Sequence, residues 1–92
     1  MVKEVRASHI LVGSEEKAKE LFDKIKAGYK FEDIAKTDSK CPSGKKGGDL
    51  GWFRRGMMVR PFENAAFDLK KGDMCITKSD FGWHIIKKVD EK

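Results

Sequence analysis

The apolar positions of this chain change period four times, and each change predicts an element. In residues 2–12, VKEVRASHILV, the residues Val5, Ala7, His9 and Leu11 share one side of an extended chain, and Ile10 and Val12 weight the other. A strand that is apolar on both sides belongs in the middle of a sheet. Gly13 and Ser14 break the pattern. Ser14 is a good helix N-cap, and Glu15 and Glu16 suit the positive end of a helix. Ala18, Leu21, Phe22 and Ile25 then repeat at the spacing of a buried helical stripe, with Glu15–Lys19 and Glu20–Lys24 pairing on the solvent side. Gly28 is the expected stop. Phe31, Ile34 and Ala35 predict a shorter second helix ending near Thr37.

Residues 38–60 hold five of the nine glycines and only one short strand pattern, Asp49–Phe53. A long glycine-rich connection inside a small domain is either functional or disordered. Leu50, Trp52, Phe53, Met57 and Met58 argue against disorder. Pro61 suits the first position of a helix, and Phe62, Ala65, Ala66 and Leu69 give the third helical stripe. Lys70, Lys71 and Gly72 are expected to close it. Met74–Lys78 and Trp83–Val89 read as the last two strands, with a bend at Phe81-Gly82. The order predicts an α+β fold with an antiparallel sheet of about four strands.

Composition narrows the function classes. Ninety-two residues make one small domain, and 38% of them are charged. No apolar run approaches the roughly 20 residues of a membrane helix, and MVKEVRASH has no apolar stretch of signal-peptide length. A soluble, cytoplasmic protein is therefore expected. The net charge of +5 is spread evenly over both halves, so weak binding to anionic surfaces is allowed and no nucleic acid is required. Two cysteines, Cys41 and Cys75, are too few for a disulfide scaffold, and no spacing suggests a metal site. GKKGGD lacks the order of a phosphate loop. Arg54, Arg55 and Arg60 read as a solvated rim.

Three groups of residues carry candidate chemistry. The only histidines, His9 and His84, lie in matching apolar surroundings, SHIL and WHII. Neighbouring strands would let each imidazole satisfy the other, with help from Ser8 or Ser79. Such a pair either holds a core together or sits beneath a reactive site. Cys41 opens the long connection beside Lys40, Lys45 and Lys46, surroundings that a reactive thiol uses, and a bystander role is the alternative. Cys75 reads as a packed strand residue. Leu50, Phe53, Met58, Phe62 and Phe81 either fill the core or line an apolar pocket suited to a ring such as proline.

SHILV at 8–12, CPSGKKGGDLGWF at 41–53, RGMMVRPFENAAF at 55–67 and FGWHII at 81–86 together resemble the parvulin family of peptidyl-prolyl cis-trans isomerases, over essentially the whole chain. The resemblance implies a parvulin-like fold, a four-stranded antiparallel sheet surrounded by about four helices, one of them short and near residues 42–47. It implies catalytic positions at His9, His84, Cys41 and Ser79, and substrate contacts from Leu50, Phe53, Met58, Phe62 and Phe81. It implies no cofactor and no metal. The partners would be proline-containing peptides and unfolded or partly folded proteins, met by a monomer of one free-standing domain. Family members directed to phosphoserine or phosphothreonine carry a basic cluster after the first strand. Here that loop is Gly13-Ser14-Glu15-Glu16, so no dependence on phosphate is expected. A peptide-binding or chaperone module of the same fold and a cysteine hydrolase built on Cys41 are the alternatives.

Overall fold

The computed structural model describes residues 2–92, apart from the side chain of Ser43. Strand β1 (Glu4–Val12) is followed by helices α1 (Glu15–Lys26) and α2 (Phe31–Asp38), then a single 3-10 turn (Pro42–Lys46). Strand β2 (Asp49–Arg54), helix α3 (Arg60–Asp68) and strands β3 (Met74–Ser79) and β4 (Gly82–Glu91) complete the chain. The four strands form one antiparallel sheet in the order β2-β1-β4-β3. Among the described residues the parvulin-like α+β architecture thus has three α-helices, and the fourth helical element is the 3-10 turn.

β1 is paired along both edges, and both of its faces are apolar because helices cover each of them. Ile10 and Val12 are buried against α1 and α2 with Ala18, Leu21, Phe31, Ile34, Ala35 and Ile85. Val5 and Ala7 are buried on the opposite face with Phe53, Phe62, Ala66 and Ile86. The adjacent residues Ile85 and Ile86 divide between the two clusters, as the alternation of a strand requires. Ser14 caps α1, its Oγ accepting the N–H of Lys17 at 3.2 Å.

α3 ends at Asp68, earlier than Lys70, Lys71 and Gly72 suggested. Leu69 turns extended (φ −68°, ψ 150°) and packs into the second cluster. The positive charge at this helix end comes from another element. The ammonium of Lys88 on β4 donates to the carbonyls of Leu69 at 2.8 Å and Phe67 at 3.5 Å, and it lies 3.4 Å from Glu91. Lys88 is only 1% exposed. A buried ammonium is tolerable only with such partners, and here it satisfies carbonyls that the helix itself leaves open. Gly72 serves the turn into β3, where its N–H donates to the Lys88 carbonyl at 2.7 Å.

The long connection packs directly against β1. Gly48 accepts the N–H of His9 at 2.9 Å and has φ 85°. A Cβ at this position would lie 2.4 Å from the His9 carbonyl oxygen, so only glycine permits the approach.

Candidate active site

The strand register builds the floor of the site. His9 is paired with Ile86, and Leu11 with His84, so the two histidines are diagonal neighbours on the α3 face. Their Nδ1 atoms are 3.1 Å apart, and the rings stack at 5.2 Å with 18° between planes. Phe62 of α3 meets both rings edge-on, at 5.3 and 5.4 Å. Ser79 Oγ lies 2.6 Å from His84 Nε2 and accepts the N–H of Phe81 at 3.2 Å.

Burial pushes the His9 pKa down to about 4, with a further push from His84. Burial lowers that of His84 as well. Both imidazoles are therefore neutral near pH 7. A bond between two Nδ1 atoms then requires one ring to carry its proton on Nδ1 and the other on Nε2. With Ser79 able to donate or to accept at His84 Nε2, the row Ser79–His84–His9 has two complete proton arrangements. Such a floor tolerates opposite polarities above it without gaining charge.

Above the floor is a cleft of about 290 Å³. Leu50 of β2 and Cys41, just before the 3-10 turn, line it. Met58, Phe62 of α3 and Phe81 of the β3–β4 turn line it as well. The sequence-predicted residues His9, His84, Cys41, Leu50, Met58, Phe62 and Phe81 thus come together, with Ser79 behind His84. Cys41 is partly buried, and its N–H donates to Ser39 Oγ at 3.3 Å. The same oxygen accepts the N–H of Leu11 at 3.1 Å and so ties the end of β1 to the connection.

Phe53 is a correction. It is 1% exposed and lies in the second cluster, 5.9 Å from Phe62 and 6.1 Å from Phe67. Phe53 pairs with Val5 across β1 and β2 and faces the sheet core, so it supports Phe62 from below and does not line the cleft. Met57 and Val59 were missed, although they also line the cleft. They flank Met58 in a run of three apolar residues, which was the available signal. Arg55 is exposed, as a rim residue should be, and it also pairs with Glu63 at 3.2 Å and lies 4.5 Å over the Phe67 ring. Cys75 packs against the second cluster as expected, where burial raises its thiol pKa. The hollow beside Gly13 and Ser14 is lined by Lys17 and Lys40 as well as Asp38, so its charge is mixed.

The family model for the PPIC-type peptidyl-prolyl isomerase domain matches residues 1–92. Foldase protein PrsA of Bacillus subtilis (strain 168) is 50% identical over 90 residues, which span 96% of this chain and 31% of that protein. The chain spans about a third of the length of the curated relatives it matches. A crystal structure of peptidylprolyl isomerase (PrsA) from Bacillus anthracis superposes with a TM-score of 0.96 at 45% identity, covering 99% of this chain and 43% of that one. The solution structure of NmPin, the parvulin of Nitrosopumilus maritimus, gives 0.88 at 46% identity, covering 96% and 97%. Sequence and fold agree, and the chain belongs to the PPIC-type, or parvulin, family of peptidyl-prolyl isomerase domains.

Proposed function

We propose that this domain accelerates cis-trans isomerisation of Xaa-Pro bonds in peptides and in unfolded or partly folded proteins, without covalent chemistry. An apolar cleft standing directly on two neutral, mutually bonded imidazoles is what supports this reading most. The X-Pro bond interconverts unaided in tens to hundreds of seconds. Its barrier, roughly 18–20 kcal/mol for peptide bonds in general, is the loss of amide resonance. No bond has to be made or broken, so a catalyst need only bind the twisted amide better than either planar form.

Leu50, Met58 and Phe62 would hold the proline ring while the preceding carbonyl rotates. A dry wall disfavours the charge-separated resonance form that keeps the amide planar. The His9–His84–Ser79 row lies where the rotating carbonyl and nitrogen would change polarity, and its two proton arrangements suit both. Cys41 contributes to the wall. A thiolate adduct would have to expel the amide again without hydrolysis, and rotation does not need it.

Phosphate before proline is not required in this reading, because Glu15 and Glu16 open the first turn after β1. A protease-free isomerisation assay tests both points, on peptides whose residue before proline is apolar, Lys, Glu or phosphoserine. Acceleration on the unphosphorylated peptides is expected, with loss in Met58→Ala while the fold persists. No acceleration from a well-folded sample would overturn the isomerase and favour a peptide-binding module. Fastest turnover on phosphoserine would overturn phosphate independence and give the role to Lys17 and Lys40.

A further inference from the structure

The connection between β2 and α3 supplies Met57, Met58 and Val59 to the cleft, yet it has no regular structure of its own. One helical side chain holds its base. Glu63 of α3 is 9% exposed. Its Oε1 accepts the N–H of Gly56, and its Oε2 accepts from Arg55 Nη1 at 3.2 Å. Gly56, with φ 94°, adopts the left-handed conformation that turns this N–H toward the helix. Arg55 is itself held, since its guanidinium covers the Phe67 ring and its Nη1 donates to Asn64 Oδ1 at 3.3 Å. Two successive residues are thus anchored to α3 immediately before the apolar run begins. The same helix also brings Phe62, the neighbour of Glu63, to the cleft.

We propose that Glu63 is a positioning residue, which, through Gly56 and Arg55, sets the spacing between the Met57–Val59 wall and Phe62 and so the affinity of the cleft for a prolyl peptide. This rests on reading the cleft as the substrate site. Glu63 is not among the residues that line the cleft, so it acts through Gly56 and Arg55. The wall grips the ring in the planar and twisted forms alike, so loosening it weakens binding and leaves the rotation step nearly unchanged. Charge-assisted bonds to a buried carboxylate are strong enough to matter, and truncating one partner strands the others.

The test uses the 92-residue chain and an Xaa-Pro peptide with an apolar residue before proline. Chemical-shift titration gives Kd, and exchange spectroscopy gives kcat and KM. Glu63→Ala is expected to raise Kd and KM about tenfold with kcat within about twofold. Glu63→Gln keeps an acceptor for the Gly56 N–H and is expected to stay within about threefold of the parent. Arg55→Ala removes a largely exposed head group, keeps the test open if Glu63→Ala does not fold, and is expected to raise KM about threefold. Unchanged Kd and KM in the folded variants would overturn the proposal. So would a fall in kcat that follows Tm while Kd stays constant, since that is what a purely structural role predicts. A chain that binds the peptide without turning it over would defeat the isomerase reading, and the Kd series would still decide the role of Glu63.

Discussion

On the α1–α2 side of the sheet, Ile10, Val12, Leu21, Phe31, Ile34 and Ile85 meet side chain to side chain, and the cluster is purely apolar. On the α3 side, Val5, Phe53, Phe62 and Ile86 share the space with His9 and His84, and Glu63 and Lys88 are buried at its margins. That side also stops short of closing. Met57 is 60% exposed and Phe81 69%, both at the cleft. A wall that must stay open to a guest cannot be held by packing on both of its sides. Here it is held by polar ties from behind: Glu63 to the connection, Lys88 to the end of α3, Ser79 to His84. One face of the sheet supplies stability through contact, and the other fixes position through hydrogen bonds.

The largest expected effect tests the closed side alone. Leu21→Ala removes a fully buried side chain and is expected to cost about 3 kcal/mol, lowering Tm by roughly 15 °C. Activity per folded molecule should be unchanged, as read from thermal unfolding and exchange spectroscopy on the same sample. Loss of specific activity would show that the two faces are coupled.

Acid is expected to strike the other side, and almost as hard. The folded His9 pKa of about 4 lies below its ordinary 6.5, so on acidification the unfolded chain binds a proton that the folded chain refuses. That contribution is fully present above about pH 6.5, is lost as the pH falls toward about 4, and changes no further below that. The shift corresponds to at most roughly 3 kcal/mol, and the lowered pKa of His84 acts in the same direction. Urea midpoints across this range should fall for the parent and much less for His9→Leu. Asp49 and Asp90, whose carboxyl pKa values are held low, lose their contribution only at still lower pH.

Smaller effects separate the ties from one another. Lys88→Met keeps the bulk but leaves the Phe67 and Leu69 carbonyls without their ammonium, at a cost of about 2 kcal/mol in denaturant unfolding. Amide exchange should quicken first in the last turn of α3. Ser79→Ala removes one bond to His84 and should reduce kcat/KM about fivefold with under about 1 kcal/mol of stability lost. No kinetic change there would mean that the imidazole row needs no anchor.

The same division explains which features are legible in the amino-acid sequence. The elements of the closed side repeat with local periods, so Ser14 as cap, the Ala18–Leu21–Phe22–Ile25 stripe and the central place of β1 can be read directly. The histidine pair is legible because two rare residues sit in matching strands. Phe53 misleads because bulk beside a loop looks alike whether it lines a cleft or supports its wall. Only the strand alternation, with Val5 opposite, decides it. Lys88 and Glu63 give no signal at all. Each looks like one more solvated charge among many, and each gains its meaning from a partner on another element: the carbonyl of Leu69 for Lys88, the Gly56 N–H for Glu63. The end of α3 is misplaced for the same reason, since its closing charge arrives from nineteen residues downstream.

The outer ends of β1 and β4 are hydrogen-bonded neighbours. The N–H of Lys3 donates to the carbonyl of Lys92 at 2.7 Å, and the N–H of Lys92 to that of Glu4 at 2.9 Å. A polypeptide that entered this fold would leave it almost where it came in. To a host protein, such a module is topologically equivalent to a short surface loop, adding little closure entropy and no strain to the segments it separates. The architecture is therefore suited to being moved as a cassette, carried inside a larger chain as readily as at either of its ends.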